Sequence, residues 1–353
     1  LTAGRLVLAV PGDPEQRTGG YLYDRRLAES LRAIGWRVDL LRLPEGFPFP
    51  DAEALRASAA ALGGLPDGTL VLVDGLALGV LPDLAEAEAG RLRLLALVHH
   101  PLGHEEGLAA EAAARLLASE RRALAAVQGV LCTSTTTAAT LERELGVPAE
   151  RIRVVEPGTD PAPLAPGSGG PAPRLLAVGA VIPRKRLDRL VRALGRLAHL
   201  AWRLEIVGSL SRSGEATRAL GAAIAGSGLA GRVELRGELL GRELEQAYAR
   251  ADLFVSASGY EGYGMALAEA LARGLPIVAA AGGAVADWLP AAAALLVPPD
   301  DPPALEAALA RAIGDAALRA RLREGALAAR TELPSWEHQA RLAAEILAAE
   351  ADR

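Results

Sequence analysis

Short apolar runs of strand length alternate with helical patterns along nearly the whole chain of 353 residues, and the alternation starts over once. Stretches 6–10, 38–43, 70–73, 92–98, 130–133 and 152–155 read as strands, with helices at 21–34, 109–127 and 136–145 between them. Residues 157–173 then break the pattern with a density of Pro, Gly and Ser that marks a domain boundary. Beyond it come strands at 175–178, 204–207, 233–235, 253–256, 277–280 and 295–297. Helices at 187–197, 215–225, 243–251, 265–273, 303–313 and 336–350 separate and follow them. Strands that are near-continuously apolar and alternate with helices predict parallel sheets covered on both faces. At roughly 150 residues per domain, the chain is expected to form two doubly wound α/β domains, 1–165 and 166–334.

Composition narrows the class. A net charge of −5 disfavours a nucleic-acid binder, and the single cysteine, Cys132, forms no internal disulfide. No apolar run reaches the roughly 20 residues that span a bilayer, and no signal-peptide pattern opens the chain. The first residue is Leu rather than Met, so a trimmed start is expected. Asn is absent, and of the 38 basic residues only Lys185 is not arginine. A bias this strong makes the exceptions informative, although one residue can also survive by chance.

Several familiar motifs are missing: no Walker A, no GxGxxG after the first strand, no HExxH, CxxC or GxSxG. His99, His100 and His104 with Glu105 and Glu106 offer metal-type ligands, but without a regular spacing, so no metal is expected.

In doubly wound sheets ligands sit at the carboxyl ends of strands. The most informative such loop runs from Glu261 into the helix beginning near Gly264. Its glycines let backbone approach a ligand closely, and the helix start offers N–H groups to an anion such as a phosphate. A nearby carboxylate accepts from vicinal hydroxyls. On the residues alone, a surface loop and an exposed helix face read equally well.

Glu261 and Glu269, with seven residues between them in EGYGMALAEALARGLPIV, resemble the Glu-x7-Glu signature of retaining glycosyltransferases, family 4 in particular. The resemblance runs the length of the chain. It implies the GT-B fold, with two Rossmann-like domains facing across a cleft and the last helix, 335–353, packing back onto the first domain. It also implies that Glu261 contacts hydroxyls of a donor sugar and Glu269 the ribose of a nucleotide. The amides of Gly262, Tyr263, Gly264, Met265, Ala266 and Leu267 would line the diphosphate and sugar. The loop after strand 175–178, GAVIPRKR, resembles the family's basic loop and gives Arg184 and Lys185 the diphosphate. Two departures stand out: Ala180 replaces a common Arg, and Arg186 a common Gly. Arg189, Arg192 and Arg196 continue on the polar face of the next helix, where a solvated face is expected.

In the first half, Gly19-Gly20 before a helix resembles the family's N-terminal glycine pair, placing Gly20 at the transferred phosphate. His99-His100-Pro101 resembles its His-x-Pro position, making His99 the histidine at the donor sugar. His100, His104 and Ser134 are acceptor-side candidates, with a helix N-cap the equal reading for Ser134. The implied reaction moves a sugar from a nucleotide-diphosphate sugar to an acceptor hydroxyl with retention and no metal or cofactor. The implied setting is glycolipid or cell-surface polysaccharide synthesis on the cytoplasmic side, with a lipid-linked or saccharide acceptor. Arg25, Arg26, Arg32 and Arg37, expected on the first helix, and Arg121 and Arg122 on a later one offer a peripheral contact to the inner membrane face or an ordinary solvated surface. A sugar-nucleotide epimerase of the same fold and a non-catalytic nucleotide-sugar binder are the alternatives.

Overall fold

The computed structural model describes residues 4–351. Residues 1–3 and 352–353, the outer ends of the expected first domain and tail helix, lie outside the described residues. The chain divides into two compact units, 4–158 with 334–351, and Thr159–Leu333.

The first unit holds strands β1 (Arg5–Pro11), β2 (Arg37–Leu43), β3 (Leu70–Asp74), β4 (Arg93–Val98), β5 (Gly129–Cys132) and β6 (Ile152–Val154). They form one sheet in the order β2-β1-β3-β4-β5-β6, all neighbours parallel. Every residue of β3 and β5 is buried, as a sheet covered on both faces requires. The helix Thr135–Leu145 stops where Gly146 turns left-handed, as its sequence promised.

The second unit holds β7 (Arg174–Val178), β8 (Arg203–Val207), β9 (Val233–Gly237), β10 (Leu253–Ser256), β11 (Ile277–Ala280) and β12 (Ala294–Val297). Its sheet, again all parallel, runs β12-β11-β10-β7-β8-β9. On one face the helix Leu187–Arg196 buries Leu187, Leu190, Val191 and Leu194 against Trp202 and Ile206. Its outward arginines pair locally, Arg192 with Asp188, Arg196 with Glu306 and Arg189 with Asp300.

Three details differ from the expectation. The chain passes between units at Gly158 and Thr159, ahead of residue 166, because the proline-rich stretch is already tied to the second unit. There the Ala165 N–H donates to the Arg273 carbonyl at 3.0 Å, and Arg323 and Arg330 donate to the carbonyls of Ala165 and Ala162. Helices Ala52–Gly63, Pro82–Glu88 and Ala316–Ala329 occupy stretches to which no element is assigned above. Arg37 opens β2 rather than lying on the first helix.

The last helix, Trp336–Ala351, belongs to the first unit. Trp336 is buried there, edge-on to Tyr23 at 5.7 Å and under the Arg26 guanidinium at 5.5 Å. A side chain at Gly158 would overlap the Trp336 backbone.

Candidate functional site

In the second sheet the strand order reverses at β7: β8 and β9 follow on one side, β10 to β12 on the other. Open parallel sheets take ligands at the carboxyl ends of the strands flanking such a reversal. The loop after β7 carries Arg184 and Lys185, and the loop after β10 carries Glu261. They meet. Lys185 Nζ donates to Glu261 Oε1 at 2.6 Å, and the Arg184 guanidinium lies 3.6 Å from Oε2. Arg184 also donates to the Tyr260 carbonyl at 2.6 Å, while the Gly259 N–H donates to the Arg184 carbonyl, so the two loops are laced together.

Glu261 is buried, which by itself would raise its pKa. The charges of Lys185 and Arg184, with hydrogen bonds from Lys185 and Ser258, outweigh that and hold it at about 2. Two cations thus gather at the carboxyl ends of the strands beside one carboxylate. The backbone of Glu261 is fixed as firmly. Its carbonyl accepts from the Ala284 N–H at 2.9 Å, and Gly283 runs beside it at φ +66°. A Cβ on Gly283 would overlap the Glu261 carbonyl, so this strand-like contact exists because residue 283 is glycine.

The helix Met265–Ala272 starts directly after, capped by Gly264 at φ +99°. The N–H groups of Met265 and Ala266 have no carbonyl four residues back within the helix, which makes its N-terminus a seat for an anion. Not all of 262–267 is available, however. The Leu267 N–H donates to the Gly264 carbonyl at 2.9 Å and its side chain lies in the core. Tyr263 is buried, its ring stacked on Trp288 at 5.0 Å and its carbonyl receiving the Trp288 indole N–H. Gly262, Met265 and Ala266 keep partial exposure.

Glu269 lies in the second turn of this helix. The Tyr248 hydroxyl donates to its Oε2 at 2.7 Å. Arg273 donates to the Glu269 carbonyl at 2.8 Å, covers the Tyr248 ring at 4.2 Å and pairs with Glu245. Burial raises the Glu269 pKa, against the lowering effect of the Tyr248 bond and Arg273. Sequence reading had not singled out Tyr248. Its signal was a tyrosine on the inward face of the helix Gly241–Arg250.

Arg186 explains one departure from the family pattern. It is left-handed at φ 48°, the only non-glycine residue with positive φ among the described residues, which is why glycine suits that position. Its guanidinium donates to the Pro299 carbonyl at 2.6 Å and pairs with Asp300 at 3.0 Å.

In the first unit the reversal lies between β1 and β3. Three side chains converge at the strand ends there: Asp24 from the helix Gly19–Ala33, Asp74 closing β3, and His99 just after β4. Their ligand atoms all lie within 4.8 Å of one another. His99 Nε2 is 3.1 Å from Asp24 Oδ1, its carbonyl accepts from Thr133 Oγ1–H at 3.2 Å, and Tyr23 packs edge-on to its ring at 5.2 Å. A Cβ on Gly20 would come within 3.1 Å of His99 Cδ2, so Gly20 lets the helix start close onto the imidazole.

The histidines read as one bunch are separate. His100 pairs with Glu105 at 3.0 Å and His104 with Glu144 at 2.8 Å. Ser134 is the N-cap of Thr135–Leu145, accepting the Thr137 N–H at 3.0 Å and donating to Thr137 Oγ1 at 2.9 Å. At 3% exposure its hydroxyl is committed to capping rather than to an acceptor. The arginines considered for a membrane contact have local partners too: Arg25 on the Pro14 and Gln16 carbonyls, Arg32 on Val38, Arg121 on Glu144, and Arg122 on Asp83 and Glu86. No helix among the described residues is long and apolar enough to cross a membrane.

Comparison with known proteins agrees with this layout. A family model described as Glycosyltransferase Family 4 matches residues 69–163, and one described as Glycosyl transferases group 1 matches residues 172–315. An MMP alpha-(1->4)-mannosyltransferase of Mycolicibacterium hassiacum is 28% identical over 254 residues, 68% of this chain and 60% of that protein. A D-inositol 3-phosphate glycosyltransferase of Xylanimonas cellulosilytica is 32% identical over 238 residues, 63% of this chain and 57% of that protein. The chain thus matches under two thirds of the length of these curated relatives. Among solved structures, sucrose-phosphate synthase from Thermosynechococcus elongatus superposes with a TM-score of 0.82 at 24% identity, covering 98% of this chain and all of that one. Anabaena HepE, in complex with UDP and glucose, does so with a TM-score of 0.75 at 18% identity, covering 97% of this chain and 99% of that one. Two parallel six-stranded sheets of this topology and two matching family models place the chain among the family-4-like glycosyltransferases of GT-B fold.

Proposed function

We propose that the protein transfers a sugar, with retained anomeric configuration, from a nucleotide-diphosphate sugar to an acceptor hydroxyl. The observation that carries this reading is the pairing of Lys185 and Arg184 with Glu261 beside the Met265–Ala272 helix start. Basic side chains and a helix N-terminus stabilise a departing diphosphate. Glu261, ionised, accepts from sugar hydroxyls, and Glu269 accepts from the ribose diol. His99 contacts the donor sugar.

In the step itself the bond from anomeric carbon to diphosphate oxygen breaks, and the diphosphate takes the electron pair. The acceptor oxygen bonds to the anomeric carbon on the face the diphosphate leaves, and its proton passes to the diphosphate. Arg184 and Lys185 supply the neutralisation, so transfer is expected without added metal. The retaining course, the donor and a lipid-linked or saccharide acceptor in cell-envelope synthesis belong to this proposal. Relatives supply first donors to try: one is named as GDP-mannose-dependent, and HepE is solved with UDP-glucose.

The test is a panel of nucleotide sugars that includes these two, scored by thermal shift and by release of nucleoside diphosphate, with the product anomer read by NMR. Stabilisation by one donor and acceptor-dependent release support transfer. Binding without release in any acceptor mixture points to a non-catalytic binder, and an epimerised sugar to the epimerase.

Glu269→Ala is expected to weaken nucleoside-diphosphate binding by about 1.5–3 kcal/mol, the worth of a charged hydrogen bond. Tyr248→Phe removes the hydroxyl that favours the ionised form of Glu269. Its binding is therefore expected to weaken on acidification at a higher pH than in the wild type. Calorimetry across pH checks both, and wild-type affinity in Glu269→Ala would remove Glu269 from the site.

A further inference from the structure

Two buried carboxyl groups, Asp24 and Asp74, lie against His99, and the transfer step just described uses neither. Each is 2% exposed. Asp74 caps the short helix after β3, taking the Leu76 N–H on Oδ1 at 2.7 Å, and it also bonds to Asp24. Asp24 Oδ1 lies 3.1 Å from His99 Nε2, while its buried Oδ2 receives no N–H. Two touching carboxylates with no N–H donor between them need a proton, and burial favours keeping it. Burial raises the pKa of both, Asp74 further through the neighbouring charge of Asp24, while burial lowers that of His99. One proton is therefore shared by the two carboxyls, and burial favours a neutral imidazole. Tyr23 and Cys132 on the other sides add no cation, and the positive charge that acts on Asp24 is that of Arg25.

We propose that Asp24, steadied by Asp74, is the positioning residue for His99: it holds the Nε2–H and leaves Nδ1 as the ring's hydrogen-bond acceptor. The geometry carries this. Gly20 closes on one edge of the ring, Tyr23 meets it edge-on and Thr133 holds its carbonyl, so the imidazole is left with little freedom. A neutral imidazole donates from one nitrogen and accepts on the other, so fixing one fixes both. An Nδ1 acceptor suits a hydroxyl of the donor sugar, and the inference deepens the transferase reading on which it rests. Two aspartates and a histidine this close are also a ligand set for a divalent cation, which the test distinguishes.

The test is ¹⁵N-imidazole NMR of the full chain, where five histidines make assignment by single substitution practical. Wild type is expected to show His99 neutral at pH 7 as the Nε2–H tautomer, unmoved by added Mg²⁺, Mn²⁺ or Zn²⁺. Asp24→Ala is expected to give a tautomer mixture and lower kcat about 10- to 100-fold, with the affinity for free nucleoside diphosphate kept. Asp24→Asn and Asp74→Asn, whose amides replace the lost bonds, are expected to keep the tautomer, as Asp74→Ala is not. An Nδ1–H tautomer in wild type overturns the proposal, and that measurement needs no variant to fold. So does a single Nε2–H tautomer in Asp24→Ala, or a stoichiometric shift with a cation. Expected tautomers without transfer from any donor would instead overturn the transferase reading.

Discussion

Lys185→Ala is expected to turn over about 10²–10³-fold more slowly than wild type, the usual cost of deleting one charge-stabilising group at a reacting centre. In the resting protein Lys185 neutralises Glu261, and both are largely withdrawn from water. When a diphosphate arrives, the lysine has an anion of higher charge to face, and Glu261 is released toward hydroxyls. Removing the ammonium therefore harms two things at once. It strips the leaving group of a cation and leaves Glu261 buried with the Ser258 hydrogen bond and the more distant Arg184. The second effect costs stability as well, because breaking a buried pair from one side costs about 3–5 kcal/mol.

The double variant Lys185→Ala, Glu261→Ala separates the two. It removes the stranded carboxylate, so it is expected to recover part of the melting temperature but none of the turnover. Recovery of turnover would mean that the pair serves folding alone. Lys185→Arg probes the compositional exception. A chain that uses arginine at every other basic position tolerates it widely, yet a planar fork cannot place one compact charge 2.6 Å from Glu261 Oε1 along the same path. It is expected to lose activity although its net charge is unchanged. Wild-type turnover in Lys185→Arg would make the lone lysine an accident of composition.

The sheets were legible because their strands are near-continuous apolar runs, 70–73 and 277–280 without a charged residue. The loops with Arg184, Lys185 and Glu261 were legible as strand ends, and the resemblance added roles. What stayed hidden has physical causes. Ala52–Gly63 and Ala316–Ala329 bury Ala54, Ser58 and Leu62, and Leu318, Leu322 and Ala326, at four-residue spacing. Alanine on all sides blurs that stripe, since a small apolar residue suits either face. Asp24 sits three, four and seven residues before Leu27, Ala28 and Leu31, all on the buried face of its helix. A carboxylate on an apolar stripe was the available signal, and so was Asp74 closing an apolar strand. Neither could be paired with His99 without the strand order, which brings β1, β3 and β4 side by side. The registration of residues distant in sequence is the part that local pattern does not encode.

Glu120→Gln is expected to leave the protein about as stable as wild type near pH 4 and clearly more stable at pH 9 to 10. Glu120 lies on the helix Ala110–Ala126 with no exposed surface. Its Oε2 accepts the Leu102 N–H at 2.9 Å, in the turn that follows His99, His100 and Pro101, and Oε1 is buried without a partner. Burial outweighs the single hydrogen bond and pushes the carboxyl up to about 8 from its ordinary 4.5. A pKa raised on folding means the folded state binds the proton more tightly than the unfolded chain. Stability from this group is therefore complete below about pH 4.5 and drains away as pH rises through about 8, a loss on the order of several kcal/mol. Glutamine keeps the carbonyl that accepts from Leu102 but has no proton to lose, so its profile should lack that decline. Asp24 and Asp74 impose an alkaline decline of their own on both proteins. The difference between the two urea-unfolding profiles therefore isolates Glu120. Parallel profiles across pH 5 to 10 would mean that Glu120 is ionised in the folded protein, with its charge compensated from elsewhere. Because the same carboxyl anchors the turn after His99, transfer activity is also expected to fall on the alkaline side in wild type before it does in Glu120→Gln.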